Sequence, residues 1–234
     1  MPDAPPTPLP FATKSEWAYG ILRKRIVDGS YKPGDRLRLT EIARELGISE
    51  MPVREALRML GRDRLVVMES HRGATVIDLT LERAFEIIAV RTHLELLALE
   101  DACGRHAAKD LDALEALSRK MAQAVERGDP KAFSEVNRGF HRALYAPGPN
   151  QTLKAEIEGL WDRLWLTRDR SIFAMDPDRM ESAQAEHELI LAALRRGDAG
   201  AALAAAARHR LATLRAWSVI VQASTDEPRR PQAL

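Results

Sequence analysis

The stretch Thr40-Glu-Ile-Ala-Arg-Glu-Leu-Gly47-Ile-Ser49-Glu-Met-Pro52-Val-Arg54-Glu-Ala-Leu-Arg58-Met-Leu-Gly-Arg62 holds two short helical patterns separated by a glycine. Ile42, Ala43 and Leu46 recur at helical spacing in the first half, and Val53, Ala56, Leu57 and Leu60 in the second, so each helix has one apolar face. Gly47 supplies the left-handed conformation that stops the first helix. Ser49 can accept a hydrogen bond from a free amide of the next turn, and Pro52 lacks the N–H that would go unpaired near a helix start. The second helix is therefore predicted to begin at about residue 49 or 50. This is the pattern of a helix-turn-helix.

Burying Val53, Ala56, Leu57 and Leu60 turns Met51, Arg54, Glu55 and Arg58 toward solvent. Met51 and Arg54 fall at the amino end, the part of the second helix that reaches base edges in this motif. An arginine there can donate two hydrogen bonds to guanine O6 and N7. Two short β-type runs follow, Leu65 to Met68 and Gly73 to Ile77, joined by the polar segment Glu69-Ser70-His71-Arg72. They predict a two-stranded wing.

The run Tyr31-Lys32-Pro33-Gly34-Asp35-Arg36-Leu37, then Ser49-Glu50-Met51-Pro52-Val53-Arg54-Glu55-Ala56-Leu57, then Arg72-Gly73-Ala74 resembles the winged-helix domain of the GntR family of bacterial transcription regulators. In that family the serine, the arginine at position 54 and the wing tip touch operator DNA. The resemblance implies DNA-binding positions at Arg36, Ser49, Met51, Pro52, Arg54, Arg58, His71, Arg72 and Gly73. Position 50 is often arginine in the family and is Glu50 here, so a phosphate or base contact is expected to be lost or altered. A winged helix used only for protein contacts is the competing reading, and such uses are a minority.

Composition alone would not single out a nucleic-acid binder. Across 234 residues, 35 Lys and Arg face 34 Asp and Glu. Residues 1–79 carry thirteen basic against eleven acidic side chains, although Arg54, Arg58, Arg62, Arg64 and Arg72 cluster on and after the second helix. DNA affinity must come from a local patch. An apolar content of 45% supports two domains with cores of their own. The single cysteine, Cys103, excludes an intramolecular disulfide, and the amino end shows no export signature, so a cytoplasmic protein is expected. Charges interrupt every apolar run well short of the roughly twenty residues a membrane span needs.

Taken in order, residues 1–13 contain Pro2, Pro5, Pro6, Pro8 and Pro10 and are predicted to be a disordered arm. Trp17, Ile21, Leu22 and Ile26 predict a first helix ended by Gly29. The winged domain is read as 14–79. After Thr80 the pattern becomes wholly helical, with punctuation at Gly104, Gly128, Pro147, Pro149, Pro177 and Gly197. Six helices are predicted, over about 81–107, 109–127, 130–145, 150–174, 178–196 and 198–222. Apolar stripes such as Leu94, Leu97, Ala98 or Leu160, Trp161, Leu164, Trp165 pack them as an antiparallel all-α bundle spanning 80–223. Residues 224–234 are predicted to be a frayed tail. The fold class is mainly α, a winged helix-turn-helix with a small β wing followed by this bundle.

Three of the six histidines can meet. His187 lies ten residues before Gly197 and His209 eleven after Asp198, so a hairpin of the last two helices sets them at one height. Asn137 and His141 are one turn apart on the third bundle helix. Three imidazoles and an amide oxygen at one level of a bundle suit a divalent transition metal such as zinc, nickel or manganese. The competing reading is three histidines satisfied by their own surroundings. Residues 81–222 resemble the ligand-sensing FCD domain of the FadR-type branch of the GntR family, in its shorter six-helix subgroup. The matching fragments are Asn137-Arg138-Gly139-Phe140-His141, Ala185-Glu186-His187-Glu188 and Arg208-His209. The resemblance implies a metal held by Asn137, His141, His187 and His209, with the neutral Asn137 standing where many members have aspartate. It also implies that Arg91 faces an effector carboxylate, although Arg91 and Glu95 equally make an ordinary i, i+4 ion pair. Both are taken as effector-site residues.

The combined reading is a homodimeric DNA-binding regulator, most simply a repressor. It binds a near-palindromic double-stranded operator and senses a small carboxylate. A metalloenzyme is the rival, but no His-Glu-x-x-His is present, and Gln184 and Arg138 stand where a di-iron bundle would place glutamates. The chain is therefore not read as an enzyme. A ligand-free helical adaptor, the third reading, requires a dry bundle core.

Overall fold

A computed structural model describes residues 13–69, 72–166 and 171–226. The chain divides into two compact units, the first comprising 1–79 with 162–166 and the second 80–161 with 167–234.

In the first unit helix α1 spans Lys14–Asp28, strand β1 Arg36–Arg38, α2 Leu39–Leu46, α3 Glu50–Arg62, β2 Val66–Glu69 and β3 Gly73–Val76. Thr13 opens α1 with a capping box to Glu16, and Gly29 closes it at φ 82°. Gly47, at φ 66°, ends α2. The apolar faces read from the sequence are those buried: Ile42, Ala43 and Leu46 on α2, and Val53, Ala56, Leu57 and Leu60 on α3. Each fully buried Leu or Val contributes roughly 1.5–3 kcal/mol relative to an exposed one, so these short helices are held by packing more than by propensity.

Two local expectations need correction. Ser49 occupies the cap position of α3, yet its hydroxyl makes no capping hydrogen bond. The wing is not a two-stranded ribbon, since β1 joins it to give a three-stranded antiparallel sheet in the order β1-β3-β2. Leu37 pairs with Ala74 and Arg38 with Gly73 on one side of β3, and Met68 with Ala74 on the other. Gly73 is required where β1 and β3 meet. Its φ is +130°, and a Cβ there would lie 2.0 Å from the carbonyl oxygen of Leu37.

The second unit contains α4 (Leu81–Ala102), α5 (Ala108–Glu126), α6 (Pro130–Tyr145), α7 (Gln151–Trp165) as far as Trp161, α8 (Ile172–Met175), α9 (Asp178–Arg195) and α10 (Ala199–Asp226). Thr80 caps α4 through the amide of Arg83, and Asp129 caps α6 through that of Ala132, with Pro130 at the first helical position. Phe133, Phe140, Leu114, Met121, Ile157 and Ile190 are fully buried.

Three readings change here. The helix expected to reach residue 107 stops at Ala102, and the chain turns through Gly104 at φ 75°. The helix expected over 150–174 ends at Trp165, and Ser171, with extended backbone, caps the separate turn α8. On α4 the inward face is not the one containing Leu97, which is 47% exposed, as is much of Val90. That face instead runs Ala84, Ile87, Ile88, Arg91, Glu95, Ala98, Leu99 and Ala102, with a charged pair inside it.

Candidate DNA-reading surface and metal centre

The outer side of the first unit is polar. Met51, at the start of α3, is 74% exposed, Ser49, Glu50 and Arg58 are exposed, and Pro52 is half-buried beside them. Arg54 is half-buried, with its Nε buried and without a partner. Arg58 and Arg62 both lie 3.5 Å from Glu55, exposed pairs that leave the guanidiniums available. A groove of about 330 Å³ is bordered by Arg36, Arg38, Thr40, Glu50, Glu69 and Arg72. Its arginines outnumber its carboxylates, and Arg36 and Arg72 are exposed. Gly73 is buried at the start of β3, and His71 lies outside the described residues.

The second unit is the reverse, because its polar side chains converge inside. His141 on α6, His187 on α9 and His209 on α10 are buried, with ring centroids 4.5 to 5.3 Å apart. One ring nitrogen of each lies within 4.8 Å of the others. Both nitrogens of His187, Nε2 of His141 and Oδ1 of Asn137 are buried without a hydrogen-bond partner. A buried polar atom left unpaired costs about 1–3 kcal/mol, so these four need an account. Burial, followed by the positive charge of Arg210 and neighbouring groups, pushes the protonation of His141, His187 and His209 well below the ordinary imidazole range. Three neutral imidazoles with nitrogens this close together could hold a divalent transition ion.

Glu186 and Arg179 support this set. His209 Nδ1 sits 2.7 Å from Glu186 Oε2, which fixes Nδ1–H as the donor and leaves Nε2 as the lone pair. Arg179 donates to the same carboxylate at 2.5 Å and to the hydroxyls of Ser182 and Thr213. Next to the histidines lies a second group. Arg91 and Arg210, both buried, converge on the buried carboxylate of Glu95, which also accepts a hydrogen bond from Trp161 Nε1 at 2.8 Å. The Arg91 guanidinium lies over the Trp161 ring at 3.6 Å. Burial lowers both arginines, Arg91 to about 10.

The structure thus brings together His141, His187 and His209, with Asn137 buried one turn before His141 on α6, and it places Arg91 and Glu95 beside the histidines. Sequence reasoning missed Arg210, Arg179 and Glu186. A signal for Arg210 existed, since Ala202, Ala206, His209, Arg210 and Trp217 form one inward stripe of α10.

Residues 14–76 match the bacterial regulatory proteins of the gntR family, and residues 86–212 match the FCD domain. The chain belongs to the GntR family and carries an FCD domain. It is 33% identical over 177 residues to the HTH-type transcriptional regulator McbR of Escherichia coli, covering 76% of this chain and 80% of McbR. The gluconate operon transcriptional repressor of Bacillus subtilis is 32% identical over 123 residues, covering 53% of this chain and 50% of the repressor. Among solved structures, E. coli McbR/YncC superposes with a TM-score of 0.73 at 28% identity, covering 90% of this chain and all of that one. A GntR regulator from Rhodococcus sp. RHA1 gives 0.67 at 25% identity, covering 91% and 99%. These relatives are transcription regulators and not enzymes, and GntR regulators bind DNA. Among the described residues no helix is long and apolar enough to cross a membrane.

Proposed function

We propose that this GntR-family chain is a homodimeric, cytoplasmic transcriptional repressor whose helical unit binds a divalent transition ion and senses a small organic acid. Residues 14–79 form its DNA-binding domain and 80–223 its sensing and dimerisation domain. Asn137, His141, His187 and His209 hold the ion, which supplies a Lewis-acidic point for an acid's oxygen when bound. Arg91 meets the acid's carboxylate. The observation that carries this reading is the convergence of His141, His187 and His209, with buried, unpartnered donor atoms on His141, His187 and Asn137, near two buried arginines.

On the DNA side Arg54 reads guanine, and Met51 packs against a thymine methyl. Ser49, Pro52, Arg36, Arg58 and the wing residues His71 and Arg72 meet the backbone, with Gly73 shaping the wing. Two copies related by a two-fold axis read a near-palindrome. The acid acts only through unequal affinity for two arrangements of the dimer.

Elemental analysis of protein purified without added metal, combined with operator binding titrated against salt, tests both halves. One equivalent of zinc, nickel or manganese per chain and a steep salt dependence are expected. Metal-free protein that takes up none of the three ions removes the sensing half, and salt-independent DNA binding removes the other.

A further inference from the structure

Arg91 and Arg210 are both buried and both turn to one carboxylate. Around Glu95 two cations share one anion, and unlike the half-buried Glu158, which Arg138 shares with the exposed Arg142, this carboxylate and both its arginines are buried. Arg91 is also short of hydrogen bonds. Its Nε lies 3.7 Å from Glu95 Oε1, an ion pair beyond hydrogen-bond reach, and this buried nitrogen has no hydrogen-bond partner. A buried N–H that donates to nothing is held ready for an acceptor.

Space sets a second condition. The cavity bordered by Glu95, His141, Tyr145, His209 and Arg210 has about 10 Å³, room for a single water. No organic acid enters there unless a lining group moves. Glu95 is the one lining acid, and it already sits where a carboxylate would be bound.

We infer that Glu95 is the built-in occupant of a carboxylate seat formed by Arg91 and Arg210, and that the sensed acid enters by taking over the guanidinium contacts Glu95 now makes. This rests on the reading of the chamber as the acid site. With the acid present each guanidinium has a carboxylate of its own to face, which Glu95 alone does not give. The affinity of the protein for an acid is then set by competition with its own side chain, and Arg210 is a seat residue equal in rank to Arg91.

The test titrates acetate, at constant ionic strength made up with chloride, into full-length zinc-supplemented protein. Glu95→Gln keeps the size of the side chain and removes the competing charge. Acetate should bind this variant about tenfold or more tightly than the wild type, a gain of about 1.4 kcal/mol. Adding Arg91→Met or Arg210→Met to Glu95→Gln should abolish the gain. Equal acetate affinity in wild type and Glu95→Gln, including no binding to either, overturns the inference. If Glu95→Gln does not fold, Glu95→Asp keeps the charge but retracts it by one methylene, and acetate should still bind about threefold more tightly; no tightening overturns the inference equally. Arg91→Met alone separates the two levels. If it weakens acetate binding while the Glu95 variants change nothing, the acid site stands and only the role of Glu95 falls. If acetate binding ignores Arg91 as well, the acid site itself falls.

Discussion

The two units of this chain dispose of charge in opposite ways. In the first, the packed faces of α1, α2 and α3 are apolar, and most of the arginines lie on or near the outside in exposed pairs, as Arg58 and Arg62 do with Glu55. In the second, Arg91, Arg179, Arg210, Glu95 and three histidines are inside. A surface that reads a polyanion needs exposed cations and a rigid support beneath them. A chamber that reads a small molecule must keep unpaired polar atoms out of water, and that costs stability until the ligand arrives. On the function proposed above, the first unit's stability does not depend on a ligand, whereas the second gains stability from what it binds.

Removing the metal is the strongest way to break this contrast. A ligand present at a thousand times its dissociation constant adds about 4 kcal/mol to the folded state. His187→Ala, or chelation of the wild type, should remove that stabilisation and leave the winged unit's melting unchanged. Hydrogen exchange read separately over residues 14–79 and 80–223 checks it. Equal loss of protection in both units would remove the contrast. Acidification should act on the same unit after chelation. The three histidines titrate well below their unfolded value of about 6.5, so the unfolded chain takes up protons that the folded chain refuses. Their contribution is present above about pH 6.5 and is lost as pH falls below it. A melting temperature of the chelated protein that stays flat between pH 7.5 and 5.5 would contradict the buried neutral state.

Gly73→Ala acts on the other unit. The backbone at φ +130° and the Leu37 carbonyl 2.0 Å from the new Cβ force β1 and β3 apart, at a cost of about 3 kcal/mol. Operator binding should weaken because the wing is displaced, while the metal content stays at its wild-type value. Loss of metal in this variant would show that the units are not independent. Arg54→Ala should leave both melting transitions in place and cost about 2 kcal/mol per half-site of discrimination between operator and random duplex. Competition binding measures it. Undiminished discrimination would remove Arg54 from the reading set.

Much of this was legible in the sequence because one physical rule governed it. On α2 and α3 the apolar spacing names the buried face without conflict, and Gly47 marks the turn. The histidine trio followed from chain geometry, since a hairpin between α9 and α10 equates distances from the turn. Where the reading went wrong, two rules competed. On α4 the hydrophobic stripe through Leu94 and Leu97 looked inward, yet Arg91 and Glu95 are buried and Leu97 is half-exposed, because this helix gives its inward face to a polar chamber and not only to the apolar core. Strand β1 is three residues with arginine at both ends, and nothing in so short a run signals pairing; its partner β3 supplies the order. Arg210 was hidden by its neighbours, for in Arg208-His209-Arg210 only the helical phase tells the buried arginine from the exposed one.

Ser49 is the smallest case and sharpens the comparison most finely. It stands at the cap position of α3 with extended backbone, φ −70° and ψ 163°, but its hydroxyl donates to and accepts from nothing there. A serine that caps a helix costs about 1 kcal/mol when replaced by alanine. An exposed serine without that bond should cost less than about 0.5 kcal/mol. If the exposed groups of the first unit exist to meet DNA, Ser49→Ala should leave the denaturant midpoint almost unchanged and still weaken operator binding, because a hydroxyl at a helix amino end is well placed to donate to a phosphate. A loss of 1 kcal/mol in stability with unaltered operator affinity would reverse the assignment. Ser49 would then belong to the scaffold, and the polar surface of α3 would begin one residue later, at Glu50.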